Sequence, residues 1–143
     1  PAKRLKLEIT ETALMDSVED SVGKLVELRR LGIQIALDDF GIGYSSLTYL
    51  KKLPIHEVKI DKSFVDDLTS DEKTSGMMGS IISLSHQLGL AVVAEGVERE
   101  EQRWRLKDHQ CDMIQGYLIS RPVPEDEAIS LLKSFKPSLR PNL

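Results

Sequence analysis

Five apolar runs in this chain end in an acid or an amide: Glu8, the pair Asp38 and Asp39, Asp61 preceded by Lys59, Glu95, and Gln115. Helix-like segments follow these runs. In an alternating strand–helix chain the strands run parallel, so their ends gather at one rim, where such folds place their chemistry. Several carboxylates and one lysine at a rim suit hard divalent cations and an anionic substrate. Asp38–Asp39 is the sharpest feature. Two adjacent carboxylates repel, and both stay ionised readily when a cation lies between them. Where the strand breaks into Phe40–Gly41, both can reach one rim, and one could bridge two metals about 3.5–4 Å apart. The plainer alternative is one aspartate capping the loop and the other solvated.

The remaining candidates each have two readings. Glu8, flanked by Leu7 and Ile9, is costly to bury unless paired or bound to a cation; otherwise it is half-exposed on an edge strand. Glu11, just past that strand, orders a loop. Lys59 and Asp61 share a face by strand parity. The lysine could hold an attacking water or a phosphate oxygen, or simply pair with Asp61. Glu95 precedes Gly96, where backbone can approach closely. Glu98 is a helix-start acid. Gln115, before Gly116, could donate to a substrate or orient a ligand. Gly41-Ile-Gly43 lacks the third glycine of a dinucleotide fingerprint and follows two acids that repel a pyrophosphate. His56, His86 and His109 have no metal spacing and are structural or exposed. Cys111 is core.

The elements that position these groups follow from periodicity. Strands are predicted at Leu5–Thr10, Gly32–Phe40, Glu57–Asp61, Leu90–Val97 and Met113–Ile119. Runs such as IQIAL and LAVVA are apolar at nearly every position, as in a parallel sheet buried on both faces. A first helix is capped by Asp16 or Ser17 and carries Val18, Val22, Leu25, Val26 and Leu28 on one stripe. Gly32 ends it. Ser45 or Ser46 caps a short helix that Pro54 stops. Ser70 or Asp71 opens a helix through Met77–Leu88, Glu98–Lys107 forms another, and a last one runs from Pro124 to about Phe135. The fold class is α/β, either a doubly wound sheet or part of a (β/α)8 barrel. A whole barrel takes about 250 residues, so the barrel reading leaves N-terminal strands missing.

With 41% hydrophobic residues the chain can build a core, and a length of 143 suits one domain. The net charge of −4 argues against a general DNA or RNA binder. A single cysteine excludes an internal disulfide and fits a reducing compartment. No apolar run approaches the roughly 20 residues of a membrane span, so a cytoplasmic domain without membrane contact is expected. The first residue is Pro1 rather than Met, which suggests a piece of a longer protein.

Five motifs in order, LEITE (Leu7–Glu11), DDFGIGYSSL (Asp38–Leu47), VKID (Val58–Asp61), VAEGVE (Val93–Glu98) and QGYLISRP (Gln115–Pro122), resemble the second half of an EAL domain. The resemblance covers about residues 3 to 135. It implies a modified (β/α)8 barrel that hydrolyses cyclic di-GMP to linear pGpG with two Mg2+ or Mn2+ ions in bacterial signalling. By that resemblance, Glu8 and Asp38 bind the first metal, and Asp38 also reaches the second. Asp39 binds the second, and Glu95 helps to hold its water. Lys59 positions or activates the nucleophilic water, supported by Gln115. Glu11 steadies the loop after Asp39, with Asp61 and Glu98 as further support around substrate and loop. That loop and the helix after it (Ser45–Leu53) resemble the family's homodimer surface.

Two departures stand out. Ile42 occupies a position where the family usually has threonine. The Glu-Ala-Leu segment and a metal-binding asparagine, upstream in the family, are absent. The resemblance therefore makes residues 1–136 the C-terminal part of such a domain, with 137–143 a frayed tail, inactive as an isolated monomer and prone to associate. A degenerate module that binds cyclic di-GMP or dimerises without hydrolysis is the competing reading.

Overall fold

A computed structural model describes residues 2–15, 18–41 and 50–135. After a 3-10 turn (Ala2–Arg4) come β1 (Lys6–Thr10), α1 (Glu11–Met15), α2 (Val18–Arg30), β2 (Gln34–Phe40), β3 (Glu57–Ile60), α3 (Lys62–Asp66), α4 (Glu72–Gln87), β4 (Ala91–Ala94), α5 (Glu100–Asp108), β5 (Met113–Ile114) and α6 (Glu125–Ser134). The five strands form one parallel sheet in the order β1-β2-β3-β4-β5. A doubly wound sheet reverses its strand order at a switch point. Here each strand adds on the same side as the last. With crossovers of one hand, that order is the winding of a barrel wall.

Strand parity then separates two faces. Ile35, Leu37, Val58, Ile60, Val92 and Ala94 are buried in one cluster with Leu14, Leu25, Val65, Leu68, Met78, Ile82 and Leu106 from the helical side. The alternate positions face the barrel interior. The register sets Lys6 beside Gln34 and Glu8 beside Ala36 on β1 and β2. It sets Glu57 beside Ala91 and Lys59 beside Val93 on β3 and β4. The expectation of strands apolar on both faces, drawn from IQIAL and LAVVA, holds for residues 35–37 of β2 and 92–94 of β4; the inner positions of β1 and β3 are charged.

Local chemistry fixes the helix ends. Asp71, one of two expected caps, accepts from the backbone N–H of Lys73 and Thr74 at 3.1 Å each, satisfying donors that a first turn leaves orphaned. The helix starts at Glu72, earlier than its apolar stripe suggested. Gly89 adopts φ +73° just beyond its end, as a C-terminal glycine does. The helix expected from Glu98 starts at Glu100. Before it, Gln102 folds back: its amide oxygen accepts from Glu98 N and Arg99 N at 2.9 Å each, and its NH2 donates to Val65 O at 3.1 Å.

Two strands are shorter than expected. β4 ends at Ala94 and β5 at Ile114 rather than at Val97 and Ile119. Beyond Ile114 the chain turns: Leu118 N donates to Val97 O and Ile119 N to Gly116 O. Glu11 opens the short helix α1. The expected caps Asp16, Ser17, Ser45 and Ser46, the Ile42 departure, most of the Ser45–Leu53 surface and the 137–143 tail lie outside the described residues.

Candidate active site

Lys59 lies on the inner face of β3 with only 6% of its side chain exposed. Burying an ammonium is unfavourable unless carboxylates surround it, and they do. Its Nζ is 2.7 Å from Glu8 Oε2 of β1, 2.7 Å from Glu95 Oε1 just past β4, and 3.6 Å from Asp38 Oδ1 of β2. Burial by itself pushes the Lys59 pKa down. The hydrogen bonds with Glu8 and Glu95, and the fields of Glu95 and Asp38, outweigh it and hold the pKa above the ordinary lysine value. The lysine is therefore a fixed cation and hydrogen-bond donor. Three acids predicted separately from strand ends thus meet at one point, and the Lys59 ammonium is that point.

The aspartate pair reaches the rim through a backbone irregularity. The β2–β3 register shifts between Leu37 and Phe40. Leu37 pairs with Val58 and Phe40 with Ile60, and all four are buried in the apolar cluster. Asp38 and Asp39 are the two residues in between, as a β-bulge arranges. Asp39 has φ +56°, and its N–H donates to Asp38 Oδ1 at 3.0 Å. Aspartate tolerates this left-handed conformation better than most residues, but it still costs on the order of 1 kcal/mol. The strand break expected at Phe40–Gly41 begins within the strand.

A second charged layer lies one inner position below. Lys6 Nζ pairs with Glu57 Oε2 at 2.6 Å, and Glu57 is buried. Neither was singled out from the sequence, although each precedes a candidate residue, Glu8 or Lys59, by two and so shares its face.

The other predicted residues divide. Gln115 is exposed, and its backbone ties it to the site: its N–H donates to Ala94 O at 2.8 Å and its carbonyl accepts from Val97 N at 3.0 Å. It lines a cavity of about 300 Å³ with Glu95, Gly96, Gly116, Lys62, Glu98 and Tyr117. Glu98 precedes the α5 cap and pairs with Lys62, so it is not the first-turn acid that the sequence suggested. That hydrogen bond holds the Glu98 carboxyl below the usual range. Asp61 is not the partner of Lys59. β3 ends at Ile60, and Asp61 caps α3 by accepting from Ser63 N at 2.8 Å; the Ser63 side chain first, and then the backbone N–H groups of Ser63 and Lys62, depress its pKa. Glu11 is buried, and neither carboxylate oxygen has a hydrogen-bond partner among the described residues. A larger cavity, about 390 Å³, is lined by Arg103, Lys107, Cys111 and residues starting β5, and contains none of these acids.

Glu8, Asp38 and Asp39 offer oxygen donors to a hard divalent cation, and the carboxylates around Lys59 exceed the one ammonium in charge. In kind, this donor set fits Mg2+ or Mn2+. In arrangement it is partial: among the described residues no three acidic, histidine or cysteine side chains form a ready ligand cluster.

A family model described as EAL domain matches residues 1–122. The cyclic di-GMP phosphodiesterase NbdA of Pseudomonas aeruginosa is 40% identical over 139 residues, covering 97% of this chain and 18% of that protein. The first curated relatives are thus matched over less than a fifth of their length. The structure of the PaMucR phosphodiesterase in complex with c-di-GMP superposes with a TM-score of 0.85 at 41% identity, covering 89% of this chain and 51% of that one. A manganese and c-di-GMP complex of Klebsiella pneumoniae BlrP1 gives 0.79 at 33% identity, covering 85% and 31%.

Proposed function

The chain belongs to the EAL domain family, and from that premise we propose that it is the C-terminal part of a cyclic di-GMP phosphodiesterase domain, residues 1–136. The observation that carries this reading is the meeting of Glu8, Asp38 and Glu95, from three strands, on Lys59. Support also comes from relatives and solved neighbours named as c-di-GMP phosphodiesterases or complexes.

In this reading Glu8, Asp38 and Asp39 would hold two Mg2+ or Mn2+ ions, Glu8 serving the first, Asp39 the second and Asp38 both, with further donors expected from outside these 143 residues. Bound there, the ions would supply Lewis acidity and offset charge growing at phosphorus. The chain's own groups do the rest. Lys59 donates a hydrogen bond to the attacking water or to a phosphate oxygen and keeps it in line. Glu95, already bonded to that ammonium, orients the water and is placed to accept its proton. Gln115 supports this shell from just past β5. The water oxygen bonds to phosphorus, the P–O3′ bond breaks, a proton matching the one taken up by Glu95 is delivered to the departing O3′, and the ring opens to linear pGpG. Asp61 and Glu98 hold α3 and the α5 entry in place around the cavity, and Glu11 steadies the segment after Asp39. The 143 residues alone are expected to be inactive because their ligand set is partial. Homodimerisation through Ser45–Leu53 and a cytoplasmic location complete the proposal. No described helix is long and apolar enough to cross a membrane.

The test is cyclic di-GMP turnover by the full-length protein with Mn2+. Asp39→Ala is expected to lower kcat by at least about a hundredfold, and chelation to abolish turnover. Tight binding of cyclic di-GMP with no hydrolysis by the wild type would replace this reading with the non-catalytic module. Undiminished turnover by Asp39→Ala would reject the site.

A further inference from the structure

Two acid–base pairs cross the inner face of the sheet, and only the upper one enters the chemistry above. Lys59 of β3 donates to Glu8 of β1 at 2.7 Å, and Lys6 of β1 donates to Glu57 of β3 at 2.6 Å. Each of these strands thus carries an acid and a base two residues apart on one face: Lys6 with Glu8, and Glu57 with Lys59. Neither strand pairs its own two charges; both bonds run across β2 instead. The register shows how they pass. Glu8 and Glu57 both stand beside Ala36 of β2, whose buried methyl leaves room for the longer chains to cross.

The lower pair bears on the upper one through competition for a cation. Glu57 keeps only 8% of its side chain exposed, and a carboxylate buried that far holds its charge only beside a positive partner. Lys6 is the ion-pair partner it has among the described residues. Without Lys6, the next cation on that face is Lys59, two residues along the same strand. Lys59 is shared among Glu8, Glu95 and Asp38, whose side chains are 46%, 20% and 24% exposed. A carboxylate open to water loses its cation at less cost than a buried one, so an unpaired Glu57 would draw the ammonium down from the rim.

We propose that the Lys6–Glu57 pair is a positioning device: by occupying the buried carboxylate, Lys6 keeps the Lys59 ammonium at the rim, among Glu8, Asp38 and Glu95. Lys6 and Glu57 are positioning residues that act through Lys59 and Glu8. The inference rests on the phosphodiesterase reading and adds to it the two groups that set where its lysine points.

The experiment uses the full-length protein and two readouts: cyclic di-GMP turnover with Mn2+, and a metal-free crystal structure of each variant. Lys6→Met is expected to lower kcat about tenfold, short of the roughly 10²–10³-fold loss of a whole donor, with KM within about twofold. In its structure Lys59 Nζ moves from Glu8 to within hydrogen-bond distance of Glu57. Lys6→Arg keeps a cation for Glu57 and restores kcat. The double variant Lys6→Met/Glu57→Gln removes both competing charges, returns Lys59 to Glu8 and recovers kcat to within about twofold of wild type, as coupled residues do. Glu57→Gln strands no buried charge, so it carries the test if Lys6→Met fails to fold. There the freed Lys6 turns to Glu8, kcat falls about fivefold, and removing Lys6 as well restores it. Lys59 unmoved in Lys6→Met, Lys6 unmoved in Glu57→Gln, or kcat losses that multiply in the double variant overturns the inference. If the wild type hydrolyses nothing while Lys59 still moves to Glu57 in Lys6→Met, the positioning stands and the phosphodiesterase reading fails.

Discussion

The sheet presents two faces built from the same strands, and they treat charge in opposite ways. On the helix side, Ile35, Leu37, Val58, Ile60, Val92 and Ala94 belong to one buried apolar cluster. Cys111 packs against that cluster, and burial pushes its thiol up to about 11. On the inner side, one residue away along each strand, stand Lys6, Glu8, Asp38, Glu57 and Lys59. There the lysine at the centre is held in its charged form by its neighbours. The helix face disfavours ionisation and supplies stability, whereas the inner face gathers charged groups and, in the proposed function, supplies the chemistry. Period-two alternation puts the two environments within one residue of each other.

Adjacent substitutions on β3 give the largest test of that division. Lys59→Met is expected to lower kcat of the full-length protein by 10²–10³-fold, roughly the loss of one well-placed donor. Its unfolding free energy should move by no more than about 1 kcal/mol, because Glu8 and Glu95 remain partly open to water. Ile60→Ala, the very next residue, should cost about 3 kcal/mol in denaturant unfolding, as buried large-to-small changes do. Equal destabilisation by both would erase the distinction between faces.

The thiol gives the next largest effect. With its pKa moved from 9.0 to about 11, Cys111 should be alkylated about 100-fold more slowly than a free thiol at pH 8. The rate should keep rising until the pH passes about 11. A plateau near pH 9 would mean that the helix face does not exclude charge at this position.

Gln102 sharpens the comparison from within the core. It is buried, yet it satisfies two backbone donors and one backbone acceptor. Gln102→Leu keeps the volume and strands those groups, at an expected cost of about 1–3 kcal/mol. A neutral result in thermal unfolding would show that water reaches them.

Asp61 carries the smallest expected change. Asp61→Ala should cost about 1 kcal/mol through the lost cap. Its carboxyl is held below 3.8 in the folded chain by Ser63, so its contribution is present above that pH and disappears as pH falls through the lowered value. Unfolding curves of wild type and variant should therefore separate at pH 7 and converge as the pH falls well below 3.8.

Much of this was legible in the sequence because strands impose a strict alternation. The five strands, their parallel course and the meeting of Glu8, Asp38 and Glu95 at one rim follow from apolar runs that end in acids. The limits lie where regular geometry stops. Parity put Asp61 on the face of Lys59, but β3 ends one residue earlier and Asp61 becomes a cap. Parity equally placed Lys6 and Glu57 beside the candidates Glu8 and Lys59, yet neither closes an apolar run, so the end-of-run signal passed over them. β4 and β5 were extended too far because apolar residues continue each run beyond Gly96 and Gly116, whereas both glycines take positive φ and the strands stop before them.

The central claim is that carboxylates from separate strands act as one hydrolytic unit. A double-mutant cycle on cyclic di-GMP turnover by the full-length protein with Mn2+ tests it most directly. Glu8→Gln and Glu95→Gln should each lower kcat by about a hundredfold or more, and the double variant should fall within about threefold of the worse single, as residues acting as a unit behave. Losses that multiply across the cycle would show that Glu8 and Glu95 act independently and would contradict the account.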